Sequence, residues 1–219
     1  MTLFRLDASI LPATSSSREI ADIVEAAWTA EHPDDEIIRR HLGTQPLPAD
    51  AWAAAVTAAY VAEEDRTPEQ RAAQALAAEL IEELTSADAV LLAVPLYNFG
   101  VSQHVKAWID VVIAGAEAGA PLLQGKPVVL ATVRGGAYGA GTPREGWDHS
   151  TAYLRRILED VWQADLTVVE REFTLVGVNP ALDEFTDLAA EMHELAQSAA
   201  REAGAALART KRASETARA

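Results

Sequence analysis

The stretch Val90–Asp110, VLLAVPLYNFGVSQHVKAWID, decides the fold of this chain. Val90 to Val94 is an uninterrupted apolar run, Pro95 stops it, Leu96-Tyr97-Asn98-Phe99-Gly100 follows, and helical spacing resumes from Ser102. An apolar run without polar alternation is a strand covered on both faces, as in parallel sheets, so the stretch reads strand, loop, helix. In an open parallel sheet, ligands lie beyond the carboxyl ends of the strands. A loop of Tyr, Asn, Phe and Gly at such an end suits a flat aromatic ring, although an ordinary loop with two aromatic anchors has the same composition.

Working outward, further strands are expected at Thr2–Leu6, Glu36–Leu42, Lys126–Val133 and Asp165–Phe173. Helical patterns separate them at Arg18–Ala30, Ala51–Ala62, Thr67–Leu84, Ser102–Ala114 and Ser150–Trp162, and a last one runs from Pro180 to about Ala208. Thr67-Pro68-Glu69-Gln70 supplies an N-cap, a proline at the first helical position and a first-turn carboxylate. The alternation is a βαβ series. It predicts one α/β domain over residues 1–209, with a five-stranded parallel sheet of order 2-1-3-4-5 between helical layers, and a frayed polar tail from Thr210 to Ala219.

The first strand leads through Ser9 into Ser15-Ser16-Ser17 and a helix. Hydroxyls there can cap the helix, and they can also converge with its N-terminus on a phosphate. No G-x-G-x-x-G and no Walker sequence is present, which favours a mononucleotide such as FMN over a bound dinucleotide or nucleoside triphosphate. The fourth strand ends in Val133-Arg134-Gly135-Gly136-Ala137-Tyr138, where the glycines permit close backbone approach or merely a flexible turn.

Composition narrows the field. The net charge of −15 opposes binding to nucleic acid, so an anionic cofactor has to be held locally. The absence of cysteine removes thiolate chemistry and disulfides, and five scattered histidines offer no close pair for a metal. No apolar run is long enough to span a membrane, and the N-terminus has no leader pattern, so a cytoplasmic protein is expected.

Taken together, Pro95-Leu96-Tyr97-Asn98-Phe99 with Ser102 and Lys106 behind it, Ser9 with Ser15-Ser16-Ser17, and Arg134-Gly135-Gly136 resemble the FMN-dependent NADH-azoreductase and NAD(P)H:quinone oxidoreductase family. The resemblance covers nearly the whole chain and implies a flavodoxin-like fold. It implies tight, non-covalent FMN on Ser9, Ser15, Ser16, Ser17, the Pro95–Phe99 loop and Val133, Arg134, Gly135 and Gly136. NADH or NADPH is then the reductant, quinones or azo compounds accept two electrons by a ping-pong mechanism, and the site lies at a homodimer interface. The flavin does the chemistry, with His149 and Tyr138 the side chains that could assist protonation of the acceptor. A flavodoxin-like electron carrier or regulatory FMN protein is the alternative. Two departures stand out: the connection Ala114–Gln124 is short and has no aromatic, and Glu159-Asp160 replaces an apolar segment. The acceptor side of the flavin is therefore expected to be wider, or closed by another part of the chain.

Overall fold

The computed structural model describes residues 1–209, so the expectation for the tail from Thr210 onward lies outside the described residues. Five strands, β1 (Thr2–Asp7), β2 (Glu36–His41), β3 (Ala89–Pro95), β4 (Pro127–Val133) and β5 (Asp165–Arg171), form one sheet in the order β2-β1-β3-β4-β5. Every pairing is parallel, as the βαβ alternation requires. β3 lies at the centre, and all seven of its residues are buried.

The helices are α1 (Ser16–Glu31), α2 (Ala51–Ala58), α3 (Pro68–Ser86), α4 (Gln103–Gly115), α5 (Thr151–Arg155) and α6 (Thr186–Ala208). On one face of the sheet Ile20, Val24 and Trp28 of α1 and Ala196, Ala200 and Leu207 of α6 pack against Leu3, Leu91 and Val129. On the other face Leu80 and Leu84 of α3, Trp108 and Ile109 of α4, and Trp162 pack against Phe4, Leu92 and Leu130. Trp28, Trp108 and Trp162 are thus core residues, and only Trp52 and Trp147 remain half exposed. The small Gly204 lets α6 press against α1, since a Cβ there would lie 2.7 Å from the Val24 carbonyl oxygen.

Arg5 and Asp7 interrupt the apolar pattern of β1 for a structural reason. Two residues apart on a strand, they share a face, and the Arg5 guanidinium binds both oxygens of Asp7 at 3.0 and 3.1 Å. Asp22 and Glu25 of α1 complete the neutralisation of this buried cation. Burial alone would lower the Arg5 pKa, but these carboxylates raise it further above its ordinary value.

The start expected for α3 is found, and several other boundaries differ from the sequence expectation. Thr67 and Gln70 form a reciprocal capping box at the start of α3. α2 stops at Ala58 rather than Ala62. The helix expected over Ser150–Trp162 widens into a π turn at Arg156–Val161, where the Trp162 N–H donates to the Ile157 oxygen at 2.8 Å, and Ile157, Leu158 and Trp162 are all buried. β5 ends at Arg171, two residues short of Phe173, whose φ of 57° takes the chain out of the sheet. Pro180–Phe185 is a 3-10 turn capped by the Asn179 side chain, and α6 begins only at Thr186.

Candidate active site

The site lies at the carboxyl ends of β1, β3, β4 and β5, and it starts with the turn after β3. Asn98 and Phe99 have φ of 49° and 68°, and Tyr97 and Gly100 exchange both backbone hydrogen bonds across them. Two consecutive left-handed residues inside such a closure make a tight turn of the I′ kind. Asn accepts this conformation cheaply, whereas for Phe it is strained, a feature that collects at ligand sites. The turn is fastened on three sides. Leu96 N–H donates to the Val133 oxygen of β4 at 2.9 Å, His149 N–H donates to the Phe99 oxygen at 2.9 Å, and the Tyr97 hydroxyl accepts from Ile10 N–H at 3.2 Å and lies 3.3 Å from Ser9 Oγ.

Beside this turn is a cavity of about 330 Å³ lined by Pro95 through Phe99, Val133, Gly135, Tyr138, Arg144, Thr174 and Leu175. Its aromatic wall is built by Phe99, whose ring lies 6.4 Å from that of Tyr138 and 5.5 Å, edge to face, from that of Trp147. No residue of the short Ala114–Gln124 connection lines the cavity; Trp147, in the segment before α5, packs edge to face on the Phe99 ring.

A second, polar cavity of about 500 Å³ lies at the start of α1, lined by Pro12 to Ser16, Arg18, Glu19 and Asp22. Ser15 caps the helix, its Oγ accepting from Arg18 N–H at 3.2 Å and lying 3.1 Å from Ser17 Oγ. The N–H groups of a helix's first turn have no intrahelical acceptor and suit an anion. Both carboxylates on this wall are already paired, Asp22 with Arg5 and Glu19 with Arg171 and His193. Burial would raise the Glu19 pKa, but its bonds to His193 and Arg171 hold it below the ordinary glutamate value. Arg18, in contrast, has no carboxylate partner among the described residues. The loop is set by Gly43, where a Cβ would fall 1.9 Å from the Ser9 oxygen, so the backbone after β2 lies directly against the backbone after β1.

The structure sorts the expected site residues. Pro95, Leu96, Tyr97, Asn98, Phe99, Val133, Gly135 and Tyr138 line the first cavity, and Ser15 and Ser16 line the second. Ser9 joins the two regions through its contact with Tyr97, while Ser17 is buried behind Ser15. Arg134 does not face the first cavity: its guanidinium binds Asp148, Glu170, Glu172 and the Thr151 hydroxyl. Gly136 lines a neighbouring cavity, and His149 is exposed and contributes its backbone N–H rather than a wall. Glu159 and Asp160, expected to replace a pocket wall, instead pair at the surface with Arg155 and Arg156. The sequence reading missed Arg144, Trp147, Thr174 and Leu175 as parts of the site. Thr174 and Leu175 reach it because their N–H groups donate to the Arg134 and Gly135 oxygens.

Residues 1–205 match the family model for the flavodoxin-like fold. The chain is 40% identical over 209 residues to an FMN-dependent NADH:quinone oxidoreductase of Frankia alni, covering 93% of this chain and 99% of that one. A protein of the same name from Streptomyces coelicolor is 39% identical, with 91% of each chain covered. The chain belongs to this oxidoreductase family. Among solved structures, the FMN complex of an FMN-dependent NADH-azoreductase from Bacillus anthracis has the same fold, with a TM-score of 0.73 at 18% identity over 94% of this chain and 99% of that one. Another Bacillus anthracis azoreductase aligns with a TM-score of 0.75 at 21% identity, covering 94% of this chain and 99% of that one. The strand order reverses between β1 and β3, the crevice where open α/β sheets receive ligands; the polar cavity follows β1 and the aromatic cavity follows β3.

Proposed function

We propose that the protein is an FMN-dependent oxidoreductase that takes electrons from NADH or NADPH and passes them in pairs to quinones, with azo compounds as secondary acceptors. The observation that carries this reading is the pairing of a hydroxyl-rich helix start with a tight aromatic turn, joined by the contact between Ser9 and Tyr97. The donor set fits a flavin mononucleotide: Ser15, Ser16 and Arg18 with the α1 N-terminus suit a phosphate monoester, and the Pro95–Phe99 turn with Val133 and Gly135 suits a flat ring. FMN held by these residues would supply the redox chemistry, two-electron transfer from a nicotinamide to the acceptor.

The chain's own part is to hold and shield. Tyr97 ties the loop after β1 to the loop after β3, so the two ends of an elongated ligand are gripped in a fixed relation. Phe99, Tyr138 and Trp147 form an aromatic wall that stacks with planar rings. Reductant and acceptor use this one site in turn, which gives substituted-enzyme kinetics. We assign assistance in protonating the acceptor to Tyr138, which lines the cavity, rather than to the exposed His149, whose backbone N–H bonds the turn. Planar polycyclic quinones are the favoured acceptors, because they fill the aromatic wall better than small azo dyes do.

A homodimer is part of this proposal. Trp52 and Ile113, 52% and 44% exposed on the packed helices α2 and α4, give such an interface apolar surface. No helix among the described residues is long and apolar enough to cross a membrane, and we place the protein in the cytoplasm with its nicotinamide reductant. The test is anaerobic reduction of the FMN-loaded protein by NADH and by NADPH, followed by reoxidation with a panel of quinones and azo dyes. Bleaching by a nicotinamide and recovery with quinones are expected. Bleaching by neither nicotinamide would favour an electron carrier.

A further inference from the structure

We propose that Arg144 selects electron acceptors that carry an anionic group beside their planar ring, such as a carboxylate, a sulfonate or an ionised hydroxyl. This deepens, and rests on, the oxidoreductase reading above. Arg144 is the one charged side chain among the residues lining the aromatic cavity. The chain carries a net charge of −15, and Arg5, Arg40, Arg134 and Arg171 are all neutralised by carboxylates. Arg144 has no carboxylate partner among the described residues. A cation left unpaired in so acidic a protein, at the wall of its aromatic cavity, is available to a ligand.

Arg144 is also positioned rather than free. Its guanidinium carbon lies 5.6 Å from the centre of the Tyr138 ring, and Nη1 donates to the Tyr138 hydroxyl at 3.4 Å. Gly136 leaves room for it, since a Cβ at that position would come within 3.1 Å of Nη1. The Tyr138 hydroxyl engages one of the five N–H donors of the guanidinium and leaves a planar fork suited to two oxygens of one anionic group. Tyr138 packs beside Phe99 in the same aromatic wall, so a planar ring lying against that wall brings a charged substituent to the guanidinium. The phosphates of a nicotinamide dinucleotide present the same chemistry. The aromatic contacts place the fork beside a stacked ring, and we assign it to the acceptor.

The FMN-loaded wild type is compared with Arg144→Gln, which removes the charge, and Arg144→Lys, which keeps it. The first readout is the ratio of kcat/KM for hydroxynaphthoquinone, ionised at neutral pH, to that for the neutral methylnaphthoquinone. Because Arg144 is exposed, the expected fall in Arg144→Gln is about fivefold, carried by KM and reduced by added salt. Arg144→Lys should recover most of the ratio. The second readout needs no turnover: by calorimetry on the oxidised protein, the preference for naphthoate over naphthamide should fall in the same variant. An unchanged ratio in Arg144→Gln overturns the proposal, as does a loss confined to the NADH half-reaction, which would give the guanidinium to the reductant. A wild type that NADH does not reduce would instead contradict the oxidoreductase reading itself.

Discussion

The turn from Tyr97 to Gly100 and the segment from Gly135 to His149 face each other across the same cavity, and they are held in opposite ways. The turn is short, closes on itself through Tyr97 and Gly100, and is tied to β4, to the loop after β1 and to His149. The longer segment is exposed along much of its length and is anchored at its ends by charge: buried Arg134 at one end binds the partly buried Asp148 at the other, and buried Glu172 joins them. A ligand surface can therefore be fixed by local backbone geometry on one side and by a remote ion network on the other.

The largest effect should come from breaking the ion network. Arg134→Met leaves the buried Glu172 and the partly buried Asp148 without their cation, and loss of one partner of such a cluster costs about 3 kcal/mol. Urea unfolding should show a loss of that order, together with a weaker aromatic wall; a loss below about 1 kcal/mol would mean that the segment is not anchored this way. The network also carries a pH signature. Burial would raise the Asp148 pKa, but the Thr151 N–H and hydroxyl, Arg134 and the Ser150 N–H hold it below the ordinary value. A carboxylate depressed in the folded state stabilises the fold above its unfolded pKa of about 3.9, and that stability is lost as the pH falls through the folded value. Arg134→Met should flatten this acid limb of the stability profile.

The opposite wall should respond to backbone changes. Gly43→Ala forces a methyl into the Ser9 carbonyl, so the loop after β1 must shift; a cost of about 2 kcal/mol and weakened FMN binding are expected by thermal melting and flavin titration. Replacing Ser15 and Ser17 together by alanine should cost about 1 kcal/mol without ligand, from the lost helix cap, and weaken FMN binding by about tenfold or more. Equal loss in the presence and absence of FMN would leave these serines as a cap alone. The smallest stability change is expected for Phe99→Gly, where relief of left-handed strain, worth about 1 kcal/mol, offsets lost ring contacts. In that variant the KM for quinones should rise while the melting temperature barely moves.

The same contrast explains what could be read from the residues alone. The strands, their order and the Pro95–Gly100 turn were legible because an apolar run, a proline and a tight-turn composition are local signals. Ser15 was legible as a hydroxyl before a helix, and the structure shows it capping α1 at the edge of a polar cavity, so the two readings of it meet in one place. The role of Arg134 was not legible, because its position beside Gly135 and Gly136 suggests a cavity wall while its partners Asp148, Glu170 and Glu172 are distant in sequence. Trp147 and Arg144 lie in a stretch without periodicity, and only the folded chain brings them to Phe99 and Tyr138. Gly43 carried no signal, since its role depends on a backbone contact across two loops.

The central claim, that the turn after β3 and the start of α1 together hold a flavin mononucleotide, is tested most directly by titrating the flavin-free protein with FMN and with riboflavin while following flavin fluorescence. Quenching should saturate at about one FMN per chain, with riboflavin, which lacks the phosphate, bound at least about tenfold more weakly. Equal affinity for the two would contradict the phosphate site at α1, and no saturable binding of either would contradict the account as a whole.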